Sequence, residues 1–118
     1  MKLEIKEITS PDIDDRDRFV RDFDLFSVPV QVKIGFADGS SQGDIFSFLV
    51  CSPEWLRVQV EGKGSRWGLH LFIMSLFDLR VVEEKLQRVI ASVDVEQWGD
   101  AVTTISKYMD WEYSNYRK

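Results

Sequence analysis

The stretch Val28-Pro29-Val30-Gln31-Val32-Lys33-Ile34-Gly35-Phe36 places an apolar side chain at every second position without a break, the period of a strand with one buried face. Pro29 has no amide hydrogen to give a ladder, so it points either to an edge strand or to the start of a strand. The following Ala37-Asp38-Gly39-Ser40-Ser41-Gln42-Gly43 is turn chemistry, and Asp44 to Val50 reads as the returning arm of an antiparallel hairpin. Upstream, Leu3, Ile5 and then Ile8 set against Lys2, Glu4, Lys6 and Glu7 predict another half-buried strand. Downstream, Ser52-Pro53-Glu54 has the makings of a helix opening: a capping hydroxyl, a proline tolerated at the first helical position, and an acid at the positive end. Val58 and Val60 alternate again soon afterwards, which leaves room for about one helical turn. Gly62-Lys63-Gly64-Ser65 then predicts a second hairpin turn leading into a long apolar strand from Trp67 to Phe77. Asp44 to Val50 and Gly68 to Leu76 are largely apolar at both alternate positions, the pattern of strands covered on both faces.

From Asp78 the period changes. Leu79, Val82, Leu86, Val89, Ile90 and Val93 fall on one helical stripe, with Glu83, Glu84, Gln87 and Arg88 mostly outside it. A second helix is expected from near Asp94, which with Gln97 resembles a capping box, and Trp98, Val102, Ile105 and Met109 form its buried stripe. Strands first and helices last predict an α+β fold. The expected architecture is an antiparallel sheet of about five strands, an N-terminal strand plus two hairpins, with two C-terminal amphipathic helices packed on one face. At 118 residues the chain is expected to form one domain spanning 1–118.

Composition narrows the function. With 44% hydrophobic and 30% charged residues the chain lies in the globular range, far from disordered sequences. The net charge of -5 disfavours a nucleic-acid backbone or an anionic membrane as partner. One cysteine permits no internal disulfide, no stretch has the length of a membrane-spanning helix, and the opening residues do not read as a signal peptide. A cytoplasmic location is expected.

Little in the sequence reads as catalysis. A single His and a single Cys cannot build a His/Cys zinc site, and only a Cys51/His70 dyad could serve thiol chemistry. Gly62-Lys63-Gly64-Ser65 departs from a phosphate-binding loop because Gly64 separates the lysine from the serine. Asp12, Asp14, Asp15 and Asp17 lack the central glycine and closing glutamate of a calcium loop and enclose Arg16. No carboxylate pair stands out, and the basic residues are scattered. No cofactor, metal or enzyme activity is expected.

Two features suit a protein partner. The acidic segment carrying Asp12, Asp14, Asp15, Asp17, Asp22 and Asp24 could steer a basic protein, or be a solvated loop fastened by Phe19, Phe23, Leu25 and Phe26. At the C-terminal end, Trp111 falls roughly opposite Trp98 on the helical wheel while Glu112 joins the apolar stripe with Tyr113 and Tyr116. Either the chain turns near Asp110 and tucks Trp111 into a satellite cluster, or Trp111 is exposed as an anchor and Glu112 is drawn to an internal partner.

The opening strand running into Ser10-Pro11-Asp12, the Ile34-Gly35 strand, Cys51-Ser52-Pro53-Glu54-Trp55-Leu56, Gly68 to Phe77, Trp98 and Trp111-Glu112-Tyr113 with Tyr116 together resemble the immunity protein 8 family of bacterial polymorphic toxin systems. The resemblance covers nearly the whole chain and rests on the order and spacing of the set. It implies a small, non-enzymatic cytoplasmic α+β protein that binds and neutralises a cognate toxin without any cofactor, with a basic nuclease as one toxin that an acidic inhibitor would suit. On that reading the partner-binding candidates are the six aspartates above with Trp55, Trp111, Glu112 and Tyr116. The protein is expected to be a monomer or weak homodimer. The competing expectations are a homo-oligomeric module using the second sheet face and, from the enzyme class, a small hydrolase.

Overall fold

The computed structural model describes residues 1–10 and 25–114. The order of elements is β1 (Leu3–Thr9), β2 (Ser27–Phe36), β3 (Asp44–Cys51), α1 (Pro53–Lys63), β4 (Leu71–Ile73), α2 (Leu79–Ala91), α3 (Trp98–Ile105) and β5 (Asp110–Trp111). This is an α+β fold with a mixed, mostly antiparallel open sheet in the order β1-β2-β3-β4, and β5 also pairs with β3.

The alternating stretch is the centre of that sheet. Val28, Val30, Val32 and Ile34 are buried and lie opposite Val50, Phe48, Phe46 and Asp44 in the β2–β3 register. Both strands thus present one apolar face, against which α2 and α3 pack. Each fully buried Val, Ile or Phe contributes about 1.5–3 kcal/mol relative to exposure. Pro29 does not mark an edge, because β2 lies between β1 and β3. It is accommodated near the strand start: the β1 ladder reaches only to Gln31, so the missing amide hydrogen removes no rung there. Ser10 Oγ donates to the Pro29 carbonyl just beyond the ladder.

The uneven spacing Leu3, Ile5, Ile8 has a structural cause. The β1–β2 register shifts between Ile5 and Glu7, so Lys6 is an extra residue and the apolar side changes step with it. The Lys6 side chain is only 4% exposed. Its Nζ donates to Glu4 Oε1 and to the Phe36 carbonyl, each at 2.8 Å, and lies 3.5 Å from Asp38 Oδ1. At the far end of β2, Gly35 faces Gly43 across the hairpin. A Cβ on Gly35 would lie 2.2 Å from the Gln42 carbonyl oxygen, so the turn closes only around hydrogen.

Several expectations are corrected. The segment after Ser52 is an eleven-residue helix, α1, rather than one turn followed by a strand through Val58 and Val60. The helix-forming signals dominate that short alternation. Ser52 Oγ accepts from Trp55 N–H, Pro53 occupies the first turn, Arg57 bridges to Glu61 at 3.1 Å, and Gly64 at φ 84° closes the helix. The second hairpin is therefore replaced by a crossover, and β4 runs parallel to β3. Only Leu71–Ile73 of the predicted Trp67–Phe77 strand joins the sheet. The sheet keeps about five strands, but three helices accompany it rather than two.

The second C-terminal helix starts at Trp98 and not near Asp94. Asp94 forms a β-bridge with Lys2, and Val95 N–H donates to the Met1 carbonyl, so this segment is extended along the start of β1 instead of capping a helix. Gln97 is the cap residue and makes no side-chain capping bond. The first helical stripe appears as expected: Leu79, Val82, Leu86 and Ile90 are buried, and Asp78 Oδ1 accepts from Arg80 N–H to cap α2. Among the described residues, no helix is long and apolar enough to cross a membrane.

Candidate functional site

The six aspartates of the acidic segment and Tyr116 lie outside the described residues. Of the remaining candidates, Trp111 and Glu112 come together, but on an internal contact. α3 ends at Ile105, the chain turns through residues 106–109, and Asp110–Trp111 pairs antiparallel with Ser47 and Phe46. Trp111 is half-buried against the core, and its Nε1 donates to Asp44 Oδ2 at 2.9 Å. Trp98 Nε1 donates to the same oxygen at 2.8 Å. Glu112 extends the ladder twice over: its N–H donates to the Ile45 carbonyl, and its Oε2 accepts from Ile45 N–H at 2.6 Å. Trp55 belongs to α1, which follows the other end of β3, and the Arg66 guanidinium lies 5.1 Å from the centre of its ring. Trp55 and Trp111 therefore do not form one patch.

Cys51 and His70 do not assemble into a dyad. Cys51 is fully buried and alternates to the face opposite Val50, and burial pushes its thiol pKa up, which disfavours the reactive thiolate. His70 Nε2 lies 3.1 Å from the Ser106 carbonyl at the end of α3, on the helical side of the sheet. Among the described residues, no group of three His, Cys, Asp or Glu side chains is placed to hold a metal ion.

The surface best suited to a partner lies where β4 and β5 diverge along the same edge of β3. The loop from α1 into β4 carries Trp67 at 90% exposure and Leu69 at 67%. It then turns sharply at His70, whose φ of 59° is uncommon for a residue with a side chain. The turn is held from two sides, by the contact of the imidazole with Ser106 and by Leu49 N–H donating to the His70 carbonyl. Beyond it lies a groove of about 370 Å³ floored by Phe48, Phe72, Leu86, Val89 and Met109. Leu69 and the 53% exposed Tyr108 form part of its wall, and Lys85 of α2 and Lys107 complete its rim. An apolar concavity with a few polar groups at its margin is the usual form of a binding cleft.

The groove exists because residues 67–70 turn away from the sheet and only Leu71–Ile73 of the predicted strand joins it. The signal present in the sequence was Gly68 beside Trp67, a break in an otherwise apolar run. Lys85 and Lys107 gave no local signal, because they reach the groove from different segments.

A family model described as Immunity protein 8 matches residues 3–116, and the chain belongs to that family. No curated protein and no solved structure matches the chain.

Proposed function

We propose that this member of the immunity protein 8 family binds a cognate toxin and neutralises it by direct protein–protein contact, without catalysis of its own, in the cytoplasm of the cell that makes both. The family match over residues 3–116 carries this reading. The outward Trp67 and Leu69 support it, since a large aromatic side chain held in solvent offers contact area that a partner can desolvate. A standard inhibitor interface covers about 800 Å² on each partner, so the groove would be its centre and not its whole extent.

The acidic segment adds a second part to the proposal. Asp12, Asp14, Asp15, Asp17, Asp22 and Asp24 would draw in a basic toxin, a nuclease among the candidates, and raise the association rate at low salt. The whole chain would act as one inhibitory domain, one copy to each toxin.

Co-expression with the toxin domain encoded beside this protein tests the reading, with cell survival and co-purification scored together. Survival with a stable complex is the expected result. Continued toxicity without a complex would remove the neutralising role for that pair.

A further inference from the structure

The groove between β4, α2 and the segment after α3 has a charge opposite to that of the molecule. The chain carries 20 acidic against 15 basic residues, yet among the described residues the groove is lined by Lys85 and Lys107 and by no carboxylate. Among the described residues neither lysine takes part in an ion pair, which they share with Lys33, Lys63 and Arg66, whereas Lys2, Lys6, Arg57, Arg80 and Arg88 are paired. The imidazole of His70 is already engaged with Ser106. The rest of the lining is largely apolar, with the buried or partly buried Phe48, Phe72, Leu86 and Met109 at its base.

We propose that this groove receives an apolar side chain of the toxin flanked by carboxylates, an acidic and aromatic or aliphatic segment, with Lys85 and Lys107 pairing with the acids on either side. This deepens the neutralising role proposed above and rests on it. Charge complementarity selects the occupant: a basic segment would be repelled from both lysines, and a purely apolar one would leave both charges beside a surface it desolvates. A macromolecule suits the site better than a small amphipathic acid because the wall residues Leu69 and Tyr108 are themselves largely exposed and the 90% exposed Trp67 lies two residues from Leu69 outside the groove lining.

The test compares purified full-length wild type, the Lys85→Glu/Lys107→Glu double variant, Leu69→Asp and the control Arg88→Glu for association with the neighbouring toxin domain at two salt concentrations. Arg88 lies on the same helix as Lys85, does not line the groove, and carries the same charge change as either lysine substitution taken singly. The expected result is about a tenfold slower association for the double variant at low salt, narrowing as salt screens the charges, with Arg88→Glu nearly unchanged. Leu69→Asp should weaken the complex by about thirtyfold, mainly through faster dissociation. A wild-type complex whose affinity is indifferent to all three groove substitutions would overturn this assignment and leave the neutralising role standing. Failure of the wild type itself to bind would overturn both. Sedimentation of the chain alone supplies a further arm: a dimer dissolved by the double variant would make the groove a self-interface and overturn the assignment. Tight binding of decanoate, displaced by the same substitutions, would reassign it to a small amphipathic acid.

Discussion

Trp98 and Trp111 donate their indole N–H groups to one and the same oxygen, Oδ2 of Asp44, at 2.8 and 2.9 Å. The start of α3, the two-residue strand β5 and the first residue of β3 are thereby tied at a single acceptor. Trp98 also stands edge-on to Phe36 at 5.4 Å between ring centres, so the polar tie sits directly beside the core.

Asp44→Ala removes the acceptor from two half-buried donors and should lower stability by about 2 kcal/mol. Asp44→Asn retains an amide oxygen and should lose about half as much. Urea unfolding followed by tryptophan fluorescence measures both. Equal losses would show that the charge, and not the shared acceptor, holds the three segments.

Ser52 joins the start of α1 to the residue preceding β2. Its Oγ accepts from Trp55 N–H at 3.1 Å and from Phe26 N–H at 3.2 Å, while its own N–H donates to the Phe26 carbonyl. Ser52→Ala should therefore cost about 2 kcal/mol, combining a lost cap with an orphaned buried amide. Ser52→Thr should recover most of the cap. Hydrogen exchange at Phe26 and Trp55 distinguishes the mechanism, since both amides should lose protection in the alanine variant.

Gly35→Ala should destabilise the β2–β3 hairpin by about 2–4 kcal/mol, because the added carbon meets backbone that no rotamer change can clear. Gly39→Ala is a useful contrast. No atom lies within 4 Å of its added carbon, and the cost there comes only from its φ of 82°. Thermal unfolding of the two variants should rank Gly35→Ala as the more damaged.

The pH dependence has a defined sign. Hydrogen bonds from the Ser40 hydroxyl and amide, with the nearby Lys6 ammonium, hold the Asp38 carboxyl below its ordinary 3.8. Its contribution to stability is therefore fully present above pH 3.8 and is lost as pH falls through the depressed value. Hydrogen bonding to Glu4, offset by burial, raises Lys6 above 10.5, so its contribution is fully present below that pH and is lost as pH rises through the elevated value. Asp38→Asn should be less stable than wild type at pH 7, with the gap closing in acid below pH 3.8. A gap unchanged between pH 7 and pH 2 would show that the charge of Asp38 contributes nothing.

Trp67→Ala should leave unfolding within about 0.5 kcal/mol of wild type, as expected of an exposed side chain without buried contacts. Toxin affinity should fall by about thirtyfold, the loss typical of an aromatic anchor. Paired melting and binding measurements separate the two effects. Unchanged affinity would exclude Trp67 from the interface.

The sequence by itself determined the α+β class, the β2–β3 hairpin and α2, because each has an unbroken apolar period long enough to count. Val28 to Ile34 spans three repeats of the strand period, and Leu79 to Val93 covers several helical turns. Val58 and Val60 offered only one repeat of the strand period, too few to outweigh the capping and ion-pair signals around them. The tertiary structure alone decided the parallel placement of β4, the tie of Trp98 and Trp111 to Asp44, and the groove. Each depends on residues far apart in the chain: Glu112 meets Ile45, and Lys85 shares a groove with Lys107. Periodicity reports which face of an element is apolar. Which other element covers that face, and which charge is left beside it, follows only from packing the elements together.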